Sequence, residues 1–150
     1  MMRAVMPSLA IGAALLGSAA AATAQSGDAD AVQAVVQSAY VEGVHANMNP
    51  DQMRRGFHPD FRMLVLRDGK LTSITLDEWI GRMEANAKQN PNAPKPSVRA
   101  EFPIADVTGN EAVVKVELYR DGKHAFTDYL FLYKFPEGWK IVSKIFQAYS

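Results

Sequence analysis

The stretch AFTDYLFLYKFPEGWKIVSKIF, Ala125 to Phe146, decides how the rest of the chain is read. Both arms are rich in aromatic and β-branched residues, and Pro136-Glu137-Gly138 separates them, so the stretch reads as a β-hairpin. With a three-residue loop, Phe135 faces Trp139, Tyr133 faces Ile141, Phe131 faces Ser143 and Tyr129 faces Ile145. Side chains alternate across a strand, so these residues share one face. The other face carries Asp128, Leu130, Leu132 and Lys134 against Lys140, Val142, Lys144 and Phe146. The first face is aromatic and nearly free of charge, and is expected to be the core.

A second turn gives an independent check on this choice. Asp121-Gly122 suits a tight hairpin turn in which both central residues take positive φ. It sets Ala112, Val114, Val116 and Leu118 against Phe131, Tyr129, Thr127 and Ala125, which selects the same face. Working outward, Val98 to Val107 and Glu111 to Arg120 form another hairpin across Gly109-Asn110. A two-residue loop turns Ala105 and Val107 inward; a three-residue loop, with the better apolar count, turns Phe102, Ile104 and Asp106 inward and is preferred. Phe61 to Arg67 and Lys70 to Ile74 flank a further Asp-Gly turn, Asp68-Gly69.

Helices precede and interrupt these strands. Val32, Val35, Val36, Ala39, Tyr40, Gly43 and Val44 recur at three- and four-residue spacing, so Asp28 to about Ala46 reads as an amphipathic helix. Asn49-Pro50-Asp51-Gln52 has the chemistry of a helix start, and Gly56 ends that helix. Thr75-Leu76-Asp77-Glu78 is a capping box, opening a helix with Leu76, Trp79, Ile80, Met83 and Ala87 on one stripe. The Asn- and Pro-rich run Lys88 to Ser97 is a loop. Helices segregated from runs of antiparallel strands indicate an α+β fold.

The first 24 residues stand apart. Arg3, the apolar run AVMPSLAIGAALLGSAAA and the small-x-small site Ala22-Thr23-Ala24 read as a secretory signal peptide, with cleavage after Ala24. One domain, 25–150, follows, with a periplasmic or secreted destination. Of 16 basic and 16 acidic residues, cleavage removes only Arg3, and this balance offers no field for nucleic acid or an anionic membrane. The chain has no cysteine, which excludes disulfides, thiolate catalysis and a cysteine-ligated metal. His45, His58 and His124 lack metal-ligand spacing, and neither a metal nor a cofactor is expected.

The arrangement resembles the nuclear transport factor 2-like cone fold, and within it the lumazine-binding family of small bacterial proteins. The likeness rests on MRRGFHPDF (Met53–Phe61), LRDG (Leu66–Gly69), LDE (Leu76–Glu78), FTDYL (Phe126–Leu130) and WKIV (Trp139–Val142). It implies a curved sheet wrapped round the helices and enclosing a pocket. The expected lining is Tyr40, Trp79, Met83, Leu118, Thr127, Tyr129, Phe131, Tyr133 and Ser143, suited to a small, flat, apolar or aromatic molecule. Isomerases of this fold use a carboxylate base beside a hydrogen-bond donor. Asp60, Asp128 and His58 are the candidates, with Tyr40 or Tyr129 as donor. Asp128 is placed on the outer face opposite Lys115, Asp60 reads as a turn residue, and His58 reads as a polar group at the pocket edge making a structural hydrogen bond. The outer face, with Val113, Lys115, Phe126, Asp128, Leu130, Leu132 and Val142, is expected to form a homodimer. Three functions follow in order: an exported passive binder, an isomerase- or dehydratase-type enzyme, and an interaction module with a filled core.

Overall fold

The computed structural model describes residues 17–150, with side chains from Gln25 onward; residues 1–16 of the expected leader lie outside the described residues. Helix α1 (Gly17–Val35) runs directly into a π-helical segment, Val36–Ala46, and then α2 (Pro50–Gly56). Strands β1 (Phe57–Arg67) and β2 (Lys70–Thr75) precede α3 (Leu76–Gln89). Four long strands follow: β3 (Val98–Thr108), β4 (Glu111–Arg120), β5 (Lys123–Phe135) and β6 (Gly138–Ala148). The six strands form one sheet in the order β2-β1-β6-β5-β4-β3. All neighbours are antiparallel except β1 and β6, which run parallel.

Local chemistry sets the element ends. Asn49 caps α2, its Oδ1 accepting from the Gln52 amide at 3.1 Å, with Pro50 in the first turn. Thr75 and Glu78 close a reciprocal capping box on α3, at 3.1 and 2.8 Å. Asp68-Gly69 and Asp121-Gly122 both take positive φ at the two central turn positions, as their sequence requires. Gly56 meets the π-helical segment so closely that a Cβ there would lie 2.3 Å from the Ala39 Cβ. The end of α2 therefore packs directly against the preceding helix. At the far end of the sheet, Asp28 of α1 accepts from Lys134 at 2.8 Å and from Trp139 Nε1 at 3.3 Å.

The inner face of the sheet is the expected one along β4 and at Trp139 and Ile141, all buried, and differs along β5 and the end of β6, where Asp128, Leu130, Leu132 and Lys144 are buried instead. Tyr129, Phe131, Tyr133 and Ile145 lie on the opposite, exposed face, 37 to 48% accessible. Two bulges cause the inversion. The β4–β5 pairing begins as expected, Arg120 with Lys123, then shifts by one between Leu118 and Tyr119, so that Leu118 meets Phe126 and Val116 meets Asp128. The β5–β6 turn is shorter than expected: Phe135 pairs with Gly138 and Lys134 with Trp139. A shift between Phe131 and Leu132 then restores the expected pairs Phe131–Ser143 and Tyr129–Ile145. Each bulge inserts one residue and reverses which side chains point inward beyond it. In the β3–β4 hairpin the two-residue loop forms, pairing Thr108 with Glu111. Val107 is buried, Ile104 and Asp106 are exposed, and a bulge between Glu101 and Ile104 leaves Phe102 against the core.

Candidate functional site

The π-helical segment is the local feature that builds the site. Hydrogen bonds spanning five residues, such as Asn47 N–H to Glu42 O at 2.7 Å, bring residue i near residue i+5. Tyr40 and His45 are so related, and their rings meet edge to face at 4.7 Å. In an α-helix, 100° per residue would point them well apart. The wider coil buries Val41 and His45 beside the expected stripe of Val36, Ala39, Tyr40 and Val44. Single turns of π-helix are rare and cluster at functional sites.

These residues wall a cavity of about 530 Å³. Tyr40, Val44 and His45 form one side; Trp79, Met83, Asn86 and Ala87 of α3 form another. Arg120, Phe126, Lys144 and Phe146 come from the sheet, and Asn90 to Pro96 of the following loop form the rim. Of the nine expected lining residues, Tyr40, Trp79 and Met83 face this space. Leu118 is buried in the core away from the wall. Tyr129, Phe131 and Tyr133 lie on the outer face, with Ser143 paired to Phe131 there. Thr127 lies there too, bonded to Glu117 and, at 3.1 Å, to the Tyr149 hydroxyl. The bulges account for the corrections on β5 and β6; Leu118 faces inward as expected but lies deeper than the wall.

The polar groups fall into two sets. In the first, Asp128 and Lys144 form an ion pair with side chains 0 and 3% exposed. Lys144 Nζ also donates to the Tyr40 hydroxyl at 3.4 Å and lies 4.0 Å from the centre of the Phe146 ring. Burial lowers the Lys144 pKa, and the adjacent Asp128 carboxylate offsets part of that. Burial, reinforced by the Asp128 charge, raises the Tyr40 hydroxyl well above its ordinary value and keeps it protonated. Asp128 Oδ2 has no hydrogen-bond partner among the described residues.

In the second set, the Arg120 guanidinium bonds to His45 Nδ1 and lies 5.2 Å from the centre of the Phe126 ring. Burial first, then the charges of Arg120 and Lys144, hold His45 well below its ordinary pKa, so the ring is neutral at pH 7. An Arg donor at Nδ1 puts the ring proton on Nε2. Nε2, like Arg120 Nε, is buried without a partner among the described residues.

The remaining candidates lie elsewhere. The Asp60 side chain is 87% exposed, and its backbone amide donates to His58 Nδ1 at 3.1 Å. His58 stacks on Phe135 at 4.7 Å, and neither residue reaches the cavity. Lys115 does not pair with Asp128; it bonds Glu117 at 2.8 Å on the outer face. His124 bonds the same carboxylate at 2.7 Å. Of the expected dimer face, Asp128, Leu130 and Leu132 are interior and Phe126 lines the cavity, while Val113 and Lys115 pair with Phe131 and Tyr129 on the outer face. Val142 is half-buried at the β6 bulge. Among the described residues no three His, Asp or Glu side chains converge as metal ligands, and no helix is long and apolar enough to cross a membrane.

Sequence reasoning missed His45, Arg120 and Lys144. Only the last had a legible signal, since it shares a strand face with Asp128.

A six-stranded sheet wrapped on helices, with a cavity between them, is the arrangement seen in a set of known proteins. Residues 27–147 match the family described as "Putative lumazine-binding". The chain belongs to that family. Its members' nuclear transport factor 2-like fold recurs in solved structures. One is an NTF-2-like protein of unknown function from Silicibacter pomeroyi, with TM-score 0.64 and 23% identity, covering 83% of this chain and 98% of that one. Another, from Shewanella baltica, gives TM-score 0.63 at 25% identity, covering 81% and 93%. Among curated proteins, the aldolase FrzH of a Cladobotryum species is 29% identical over 119 residues, 77% of this chain and 90% of that protein. The α+β cone expected from the residues is therefore the fold of this family.

Proposed function

We propose that the chain is an enzyme that moves a proton beside the carbonyl of a small molecule, in reactions of the isomerase or aldol type. The observation that carries this reading is the Asp128–Lys144 pair, buried with Tyr40 at the wall of the cavity. Burying two charges costs several kcal/mol per ion before their attraction is counted (about that order), and an apolar pair would fill the space as well. Perturbed, buried titrating groups in a cleft are a mark of catalytic sites. The likeness to a protein named an aldolase supports carbonyl chemistry.

In the proposed step, Lys144 passes its proton to Asp128, which burial of both charges favours, and the free amine takes the proton next to the substrate carbonyl. The enolate oxygen accepts a hydrogen bond from the Tyr40 hydroxyl. Charge is conserved, because an ammonium–carboxylate pair becomes an ammonium–enolate pair beside a neutral Asp128. Return of the proton to a different carbon, or attack of the enolate on an aldehyde, completes isomerisation or aldol addition. Lys144 touches the substrate; Asp128 acts through it as a positioning and proton-holding residue.

The test is α-proton exchange. Phenylacetone, acetophenone and cyclohexanone in D₂O are followed by proton NMR with and without protein. Exchange above the buffer rate is expected, lost in Lys144→Met and Asp128→Asn, and slowed about 100-fold in Tyr40→Phe. If a ketone raises the melting temperature yet shows no exchange, the protein is a passive binder. That second reading has its own support, since Asp128 does not itself reach the cavity wall.

Two further parts of the reading rest on other observations. The leader-like first 24 residues support export to the periplasm or beyond, and the even charge balance supports a small molecule rather than nucleic acid as partner. A homodimer is proposed through the outer sheet face, now defined by Tyr129, Phe131, Tyr133, Ile145 and Ile104, all exposed. An aromatic surface of this kind usually meets another surface.

A further inference from the structure

The cavity wall has an imbalance of charge that the proton-transfer step does not use. Three of its lining residues are basic, Lys95, Arg120 and Lys144, and none is acidic. Lys144 has its counterion behind it, in Asp128. Lys95 stands exposed on the rim. Arg120 is different. It is half-buried, makes no ion pair among the described residues, and has a neutral imidazole and a phenyl face as its contacts. A guanidinium does not shed its proton to escape this setting. Its Nε–H and the neighbouring His45 Nε2–H are both buried without an acceptor. Buried donors nearly always have a partner, and a charged one most of all.

From this imbalance we infer that the ligand carries an anionic group, a carboxylate or a phosphate, held at the Arg120–His45 end of the cavity. This deepens the function proposed above by naming a substrate class: an oxo acid, or a phosphorylated carbonyl compound, with an apolar body. The anion sits on the planar fork of Arg120, which matches both groups with two parallel hydrogen bonds. The carbonyl then reaches Lys144 and Tyr40, because Tyr40 and His45 are neighbours on one face of the π-helical segment. Trp79, Met83 and Phe146 cover the apolar part between. Lys144 and Arg120 thus divide the work: one end anchors, the other end handles the proton. The wider turn of helix is what lets one segment serve both ends.

Binding alone tests this, without any reaction. The full chain is titrated calorimetrically with benzoate, phenyl phosphate and neutral benzamide at equal ionic strength. At least one anion is expected to bind about tenfold or more tightly than benzamide, the range for a charge-assisted pair. Which anion does so tells carboxylate from phosphate. Arg120→Met is expected to erase the preference, while Lys95→Ala on the rim retains most of it. Arg120→Lys, which keeps the charge and loses the fork, is expected to recover only part, and it guards against a folding defect in the methionine variant. Equal binding of benzamide and both anions overturns the inference, as does an anion preference that survives Arg120→Met in a folded protein. Failure here leaves the proton-exchange result standing, and failure of exchange leaves the anion preference standing, so the two claims fall separately.

Discussion

Replacing Lys144 by methionine isolates the interior ion pair. The substitution keeps the length and apolar stem of the side chain and removes the charge. It leaves Asp128, 0% exposed, with its ion-pair partner gone and with one oxygen that already lacked a partner among the described residues. Breaking a buried pair from one side costs about 3–5 kcal/mol. Against a typical total of about 5–15 kcal/mol, that removes roughly a fifth or more of the stability. With a urea slope of about 2 kcal/mol per molar, the midpoint falls by roughly 2 M. Joint replacement, Asp128→Leu with Lys144→Met, is expected to restore most of the loss, since a packed apolar pair is neutral or better by about 1–4 kcal/mol.

The assay is urea unfolding by circular dichroism on wild type, both singles and the double at pH 7, with the Lys144→Met series repeated at pH 5. In that variant the lone carboxylate is held protonated to a higher pH in the folded chain than in the unfolded one. The folded state then binds the extra proton more tightly, so lowering pH stabilises this variant relative to wild type. A Lys144→Met unfolding free energy within about 1 kcal/mol of wild type would refute the burial argument, and so would a double variant as unstable as the single. The same proteins serve the exchange assay, so a stable double without exchange separates a structural role from a chemical one.

Other outcomes follow from the same geometry. Gly56→Ala is expected to cost about 1–3 kcal/mol, because its Cβ would sit 2.3 Å from that of Ala39, whereas Gly81→Ala on the open face of α3 gains about 0.5–1 kcal/mol; thermal melts compare them. His45 is neutral in the fold and takes a proton below about pH 6.5 when unfolded, so stability is lost as pH falls from there, at up to about 1.4 kcal/mol per unit. Unfolding at pH 7, 6 and 5 should show that slope, and His45→Asn should flatten it. Phe131→Glu on the outer face is expected to give a folded monomer in sedimentation, while Leu130→Glu, one residue away and fully buried, abolishes the cooperative transition. An unchanged sedimentation coefficient for Phe131→Glu sinks the outer-face dimer.

What could be read in the residues, and what could not, divides along a physical line. Turns and caps were legible at Asp68-Gly69, Asp121-Gly122, Asn49-Pro50 and Thr75–Glu78, because each depends on a few adjacent residues. Side-chain facing was not, because it depends on counting residues along a strand, and one bulge changes the count. The two hairpin turns selected the same face, yet an added residue in β5 and another in β6 each broke the chain of pairing. Agreement between the turns was therefore no independent check: both inferences assumed unbroken alternation.

The deeper misreading was electrostatic. Asp128 and Lys144 share one face, on strands that pair Asp128 with Phe146 and Leu130 with Lys144, so they are diagonal neighbours. Taken singly, each charge argues for solvent. Taken together, they neutralise one another, and the face they occupy is then leucine, isoleucine and a single ion pair. The aromatic residues of β5, which taken alone suit the interior, lie on the exposed face. A strand face with one acid and one base within diagonal reach, among leucines, thus has two readings, an exposed salt bridge or a buried pair, and which holds depends on what the opposite face could do outside. Here Tyr129 and Tyr133 carry hydroxyls that water can satisfy, and Leu130 and Leu132 carry nothing, which is why the leucines go in and take the charges with them.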